Sequence, residues 1–188
     1  GHNILTNMLG QDIQDLATKF AAYREARREA GHEGDGIVTV MLHTFVTDDD
    51  EKAKQLARGP FGNYLTTSYD LVKVAPWMFP AFKQPSAANA GGGATAQAFD
   101  PERFDDDDMA ALLDHAFDRY FDTAGLFGTP QRALKLVEQL KDIGATEVAC
   151  LIDFGIDPDT VLENLEHLDE LRRLANPAST NPAAAATP

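Results

Sequence analysis

The sequence predicts an α/β protein with a parallel sheet, and three observations carry that reading. Short, β-branched apolar runs alternate along the chain with longer stretches of helical period. The run "IVTVMLHTFV" at 37–46 is apolar on both faces, as a strand covered from both sides is. The stretch "GTPQRALKLVEQLKDIG" carries complete helix punctuation, with Thr129 as N-cap, Pro130 at the first helical position and Gly144 as the stop. Strands separated by helices pair in parallel through helical crossovers.

Taken in order, "NILTNML" at 3–9 reads as a short buried strand. A helix follows from Asp12 to Ala30, where Ile13, Leu16, Phe20, Ala21 and Tyr23 recur at helical spacing. "AGHEGDG" is a loop, and 37–46 is the second strand. The acidic run Asp48, Asp49, Asp50, Glu51 opens the next helix, where negative charge suits the N-terminal dipole. That helix runs through Leu56 and, after a break at Gly59-Pro60, towards Leu71.

The pattern then changes. Residues 75–105 hold prolines, a Gly-Gly-Gly and aromatics at the front, the composition of a lid, a binding loop or a disordered insert. Within it, 85–98 is expected to be mobile or poorly ordered, and Trp77, Phe79 and Phe82 to pack near the mouth of a barrel. Helices from Asp106 to Thr123 and from Pro130 to Gly144 lead to the third strand, "TEVACLIDF". A last helix spans Asp157 to Leu174, and 175–188 is a Pro/Ala-rich linker or tail. Three strands make a small parallel sheet. The chain reads as the last three βα units of an eight-fold barrel, which takes about 250 residues, although periodicity alone also allows a small open sheet.

Composition narrows the function classes. Sixteen basic residues against 30 acidic ones give a net charge of -14, which argues against nucleic acid and anionic membrane as partners, since both demand clustered Lys and Arg. No apolar run approaches the roughly 18 residues of a membrane span, and no basic-then-apolar signal pattern opens the chain, so a cytoplasmic protein is expected. The single cysteine, Cys150, cannot make an internal disulfide, and its apolar strand predicts a packed core thiol. There is no Gly-rich phosphate loop, no Ser-His-Asp arrangement and no spaced Cys/His set. The acidic runs 48–51 and 105–108 read as solvated helix-start charge, and no metal site is expected. Thr129 reads as a cap in preference to an anion site, because Pro130 removes one amide and Asp122 adds negative charge.

"RYFDTAGLFGTPQRALKLVEQLKDIGATEVACLIDFGID" closely resembles the C-terminal portion of flavin-dependent luciferase-like monooxygenases, in particular the group embedded in nonribosomal peptide and polyketide assembly lines. "NILTNMLGQDIQDLATKFAAYREARREAGH" and "VTVMLHTFVTDDDEKAKQLARGPFGNYL" are similar to the sixth and seventh βα units of that family. The resemblance implies a (β/α)8 TIM barrel, with residues 1–174 supplying its last three units and 75–105 as a variable insert. It implies reduced FMN delivered by a flavin reductase, O2 as co-substrate, and oxygenation of a natural-product intermediate, free or tethered to a carrier protein. It also implies that five further βα units precede Gly1. On that reading the isolated chain is a fragment, inactive and weak in FMN binding, whose open strand edges need the N-terminal half of the barrel or a second copy.

Active sites of such barrels lie at the C-terminal ends of the strands. That rule selects Thr6, Asn7, His43, Thr44, Asp153 and Phe154 as residues bordering the flavin and substrate pocket; no catalytic residue is assigned. Each has a plainer reading: His43 as a hydrogen-bonded core histidine, and Asp153 as a cap for the loop into the last helix. The alternative function is a non-catalytic partial-barrel module for structure or interaction.

Overall fold

The computed structural model describes residues 1–67 and 106–177. The expectations for 75–105, including Trp77, Phe79 and Phe82, and for the tail beyond Pro177 lie outside the described residues.

The architecture is α/β. Strand β1 (Ile4–Asn7) leads into helix α1 (Ile13–Glu29), and β2 (Val38–Val46) into α2 (Asp50–Thr67). Helix α3 (Asp106–Thr123) precedes β3 (Leu126–Gly128) and α4 (Pro130–Asp142). Strand β4 (Glu147–Leu151) is followed by α5 (Pro158–Glu163) and α6 (Leu165–Ala175). Every pairing is parallel. β2 is the central strand: β1 pairs with it from Ile4↔Val38 to Asn7↔Met41, and β4 from Thr39↔Glu147 to His43↔Leu151. The expected adjacency of the three strands holds.

The count of strands does not. β3 is a fourth strand, paired with the end of β2 at Thr44↔Leu126, Phe45↔Phe127 and Val46↔Gly128. Three residues are too short to display a period of two, so in sequence they merge with the approach to α4. Two helix expectations also change. α2 runs unbroken through Pro60, although proline removes one backbone donor and so one hydrogen bond of the helix. The last helix divides at Asn164, whose buried side chain donates to the Thr160 carbonyl at 2.8 Å.

Local chemistry accounts for the helix starts. Asp12 caps α1 by accepting from the Asp15 amide at 2.8 Å, while its own amide donates to Asp15 at 3.3 Å. Thr129 Oγ1 accepts the Arg132 amide at the head of α4. The Thr129 amide is itself taken by Asp50 Oδ1 at 2.7 Å, which ties the start of α4 to the start of α2. Gly128 makes this possible. Its φ is +92°, and a Cβ there would lie 2.5 Å from Asp50 Oδ1.

Side chains alternate across β2, and the two faces differ. Val38, Val40 and Leu42 are fully buried and join one core with Leu16 and Phe20 of α1, Leu140 of α4 and Leu171 of α6. The opposite face carries Thr39, Met41 and His43, with Leu5 and Asn7 on one side and Glu147, Ala149 and Leu151 on the other. Towards its N-terminal end this second face is open, and Leu5 is 64% exposed. Cys150 is exposed, not the packed thiol its apolar strand predicted. An apolar run identifies a strand, but the layers that cover it are a tertiary matter, and among the described residues β4 pairs with β2 alone.

Candidate functional site

At its C-terminal end the open face closes over His43. The ring is surrounded by four aromatic side chains: Phe61 and Tyr64 of α2 at centroid distances of 5.0 and 4.5 Å, Tyr120 of α3 at 5.6 Å, and Phe154 at 5.5 Å. Phe61 and Tyr64 stand three residues apart on α2 and so share a face. Phe61 stacks on Tyr120 at 4.6 Å, and Phe127 of β3 closes the far side of the cluster against Phe154 at 5.8 Å.

His43 is 2% exposed, and its Nδ1 lies 3.0 Å from the Tyr120 hydroxyl. Burial pulls its pKa down to about 4, against a smaller opposing pull from the carboxylate of Asp153, so the ring is neutral at pH 7. Burial pushes the Tyr120 phenol in the other direction, well above its ordinary value, so it keeps its proton. A protonated phenol beside a neutral imidazole donates to it, because the imidazole nitrogen is the better acceptor. Tyr120 therefore donates to Nδ1, and the ring hydrogen sits on Nε2. That Nε2 is buried and has no hydrogen-bond partner among the described residues. An unmatched buried donor is costly, which makes it the polar group most in need of a ligand here.

The six residues selected from sequence do not form one group. His43 and Phe154 touch, and Asp153, exposed in the adjoining loop, acts on His43 through its charge. Thr44 points to the opposite face of β2 and donates to the Leu42 carbonyl at 2.8 Å. Asn7 and Thr6 serve the turn after β1: Asn7 Oδ1 accepts the Leu9 amide at 3.0 Å, Thr6 Oγ1 accepts from Gln11 Nε2 at 2.9 Å, and Gln11 also donates to the Asn7 carbonyl. Asp153 does not cap the following helix, a role that belongs to Asp157. Sequence reasoning missed Phe61, Tyr64 and Tyr120. The Phe-x-x-Tyr spacing was visible, but its partner strand was not.

Among the described residues no group of three or more His, Cys, Asp or Glu is placed to hold a metal, and no helix is long and apolar enough to cross a membrane.

The fold and site together define an α/β protein with a parallel sheet and one unsatisfied polar group in an aromatic recess near the strands' C-terminal ends, where sheets of this kind present their ligand sites. The chain belongs to the luciferase-like monooxygenase family, whose model matches residues 1–147. The family is one of oxidoreductases of the monooxygenase type, as the sequence resemblance implied. No curated protein matches the chain.

Proposed function

We propose that this chain is part of an FMN-dependent monooxygenase that uses reduced flavin and O2 to oxygenate a natural-product intermediate, free or tethered to a carrier protein. A flavin reductase supplies the reduced cofactor. Family membership supports the reaction class, and the single structural observation that carries the site is the unpartnered Nε2 of His43 within its aromatic walls. The fit to a flavin is chemical: a planar, apolar ring system with acceptor atoms on its edge suits flat aromatic walls and one buried donor.

When bound, the reduced flavin supplies the oxygen-activating chemistry, and the protein supplies orientation and dryness. Here His43 would hold the acceptor edge of the ring system or of the substrate through Nε2–H, with Tyr120 fixing its tautomer. Phe61 and Phe154 exclude water from that hydrogen bond, which strengthens it. Thr6 and Asn7 are already engaged in their own turn, which leaves one buried donor in the recess to hold the ring system. Binding by this chain is therefore weak.

Flavin fluorescence titration tests this. The full chain should quench FMN saturably with a Kd weaker than about 0.1 mM. His43→Leu should lose that quenching at a stability cost of no more than about 1–3 kcal/mol, since the variant removes one unmatched polar group but leaves the Tyr120 hydroxyl without its acceptor. Equal loss of binding and stability would return His43 to the role of a core residue. Absence of quenching in the unsubstituted chain would favour the second reading, a non-catalytic partial-barrel module.

A further inference from the structure

A cavity lies between the turn after β1, the C-terminal half of α3 and the face of α4 that carries Ala133 and Leu136. Its volume is about 710 Å³, inside the range of small-molecule pockets. Met8, Leu9, Ile13, Leu65 and Leu136 give it an apolar floor, and Phe61 and Tyr120 form a wall shared with the His43 recess.

The charges on its rim set it apart. Its cations are Arg119, Arg132 and Lys135, and its carboxylates are Asp12 and Asp122. Both carboxylates are engaged: Asp12 caps α1, and Asp122 binds Arg132 at 2.7 Å. Arg132 is further held over the Phe121 ring at 4.7 Å. Arg119 and Lys135 have no side-chain hydrogen bond or ion pair among the described residues. In a chain of net charge -14, an apolar cleft lined by three cations against two carboxylates, with Arg119 and Lys135 uncommitted among the described residues, runs against the charge balance of the whole molecule. An inorganic anion would satisfy the cations and leave the apolar floor wet. A neutral apolar molecule would do the reverse.

We propose that this cleft is a binding site for an anionic amphiphile, a small molecule with an apolar body and a carboxylate or phosphate head. The body occupies the floor formed by Met8, Ile13 and Leu136, and the head lies between Arg119 and Lys135. The site works without flavin and does not rest on the FMN reading. Its occupant does, however, press on Phe61 and Tyr120, the rings that hold His43.

Isothermal titration calorimetry of the full chain with decanoate, decyl phosphate, decanol and inorganic phosphate tests the assignment. Both amphiphilic anions should bind, about tenfold more tightly than decanol, and inorganic phosphate should bind least. The tighter of the two heads identifies the source of the natural ligand. The double variant Arg119→Gln, Lys135→Gln, whose sites are exposed and whose fold is checked by circular dichroism, should bring both anions to the level of decanol and leave decanol unchanged. Equal binding of decanol and decanoate, an unchanged double variant, phosphate matching decyl phosphate, or no heat from any ligand would each overturn the proposal.

Discussion

The two ends of the open sheet face are built from similar residues and treated oppositely. At the C-terminal end, His43 and Phe45 are buried, with Phe61 and Tyr64 of α2 and Tyr120 of α3 against the His43 ring, and Phe61 alone contacts six other rings. At the N-terminal end, no such layer of described residues covers Leu5, Thr39 and Met41, and Leu5 is 64% exposed. The same strand, β2, supplies both ends. Burial here depends on which helices return over the sheet, and the return of α3 is secured by charge as well as apolar contact. Arg58 of α2 reaches Asp114 at 2.9 Å and Asp118 at 2.7 Å on α3, Lys54 adds a contact to Asp118 at 3.1 Å, and the Arg58 guanidinium sits 4.8 Å over Phe117.

That contrast can be broken most forcefully at Phe61. Phe61→Ala should destabilise the protein by about 3–5 kcal/mol in urea melts, because it opens a cavity under several rings at once. A cost below about 1 kcal/mol would mean the cluster is loosely packed.

The next largest effect belongs to His43 and pH. Its folded pKa of about 4 lies below the ordinary 6.5, so the unfolded chain takes up the proton more readily than the folded one. The stability of the neutral ring is complete above pH 6.5, declines as the pH falls from 6.5 towards 4, and levels off below that. The total is about 3 kcal/mol. His43→Leu should remove this component of the pH profile, seen as the difference between wild-type and variant urea midpoints from pH 7 to pH 4. Identical slopes would place the ring in water.

Arg58→Ala sharpens the comparison at lower cost. Its ion pairs are partly exposed, so screening limits their worth, and the loss should be about 1 kcal/mol, part of it from contact with Phe117. Repeating the melts in 1 M salt should shrink the difference. An unchanged difference would assign the whole effect to ring packing.

At the open end, Leu5→Thr should change stability by less than about 0.5 kcal/mol. Its effect should instead appear in light scattering, as reduced self-association of a chain whose apolar edge strand is exposed. A full kilocalorie of destabilisation would show that Leu5 is covered in solution.

Much of the scaffold was legible because its signals are local. The Thr129-Pro130 start and Gly144 stop of α4 follow from capping and from the φ of +93° that Gly144 adopts. The parallel order follows from alternation and from the handedness of crossovers. β3 was not legible, since three residues carry no period, and neither was the continuity of α2 through Pro60, which packing of Phe61 against distant rings sustains. Of the site, His43 and Phe154 were recognisable from their places at strand ends. The rings that complete the recess come from helices whose position over the sheet no spacing encodes.

By itself the sequence determined the family, the α/β class and the ends of the well-capped helices, because each depends on residues within a few positions of one another or on their order along the chain. Only the tertiary structure decided that Cys150 is exposed and that Tyr120, 77 positions from His43, completes its hydrogen bond. Burial, and with it the neutral state of His43 and the unmatched hydrogen on Nε2, arises from layers that meet only when the chain folds. Such contacts are non-local, so they leave no periodic mark on the sequence.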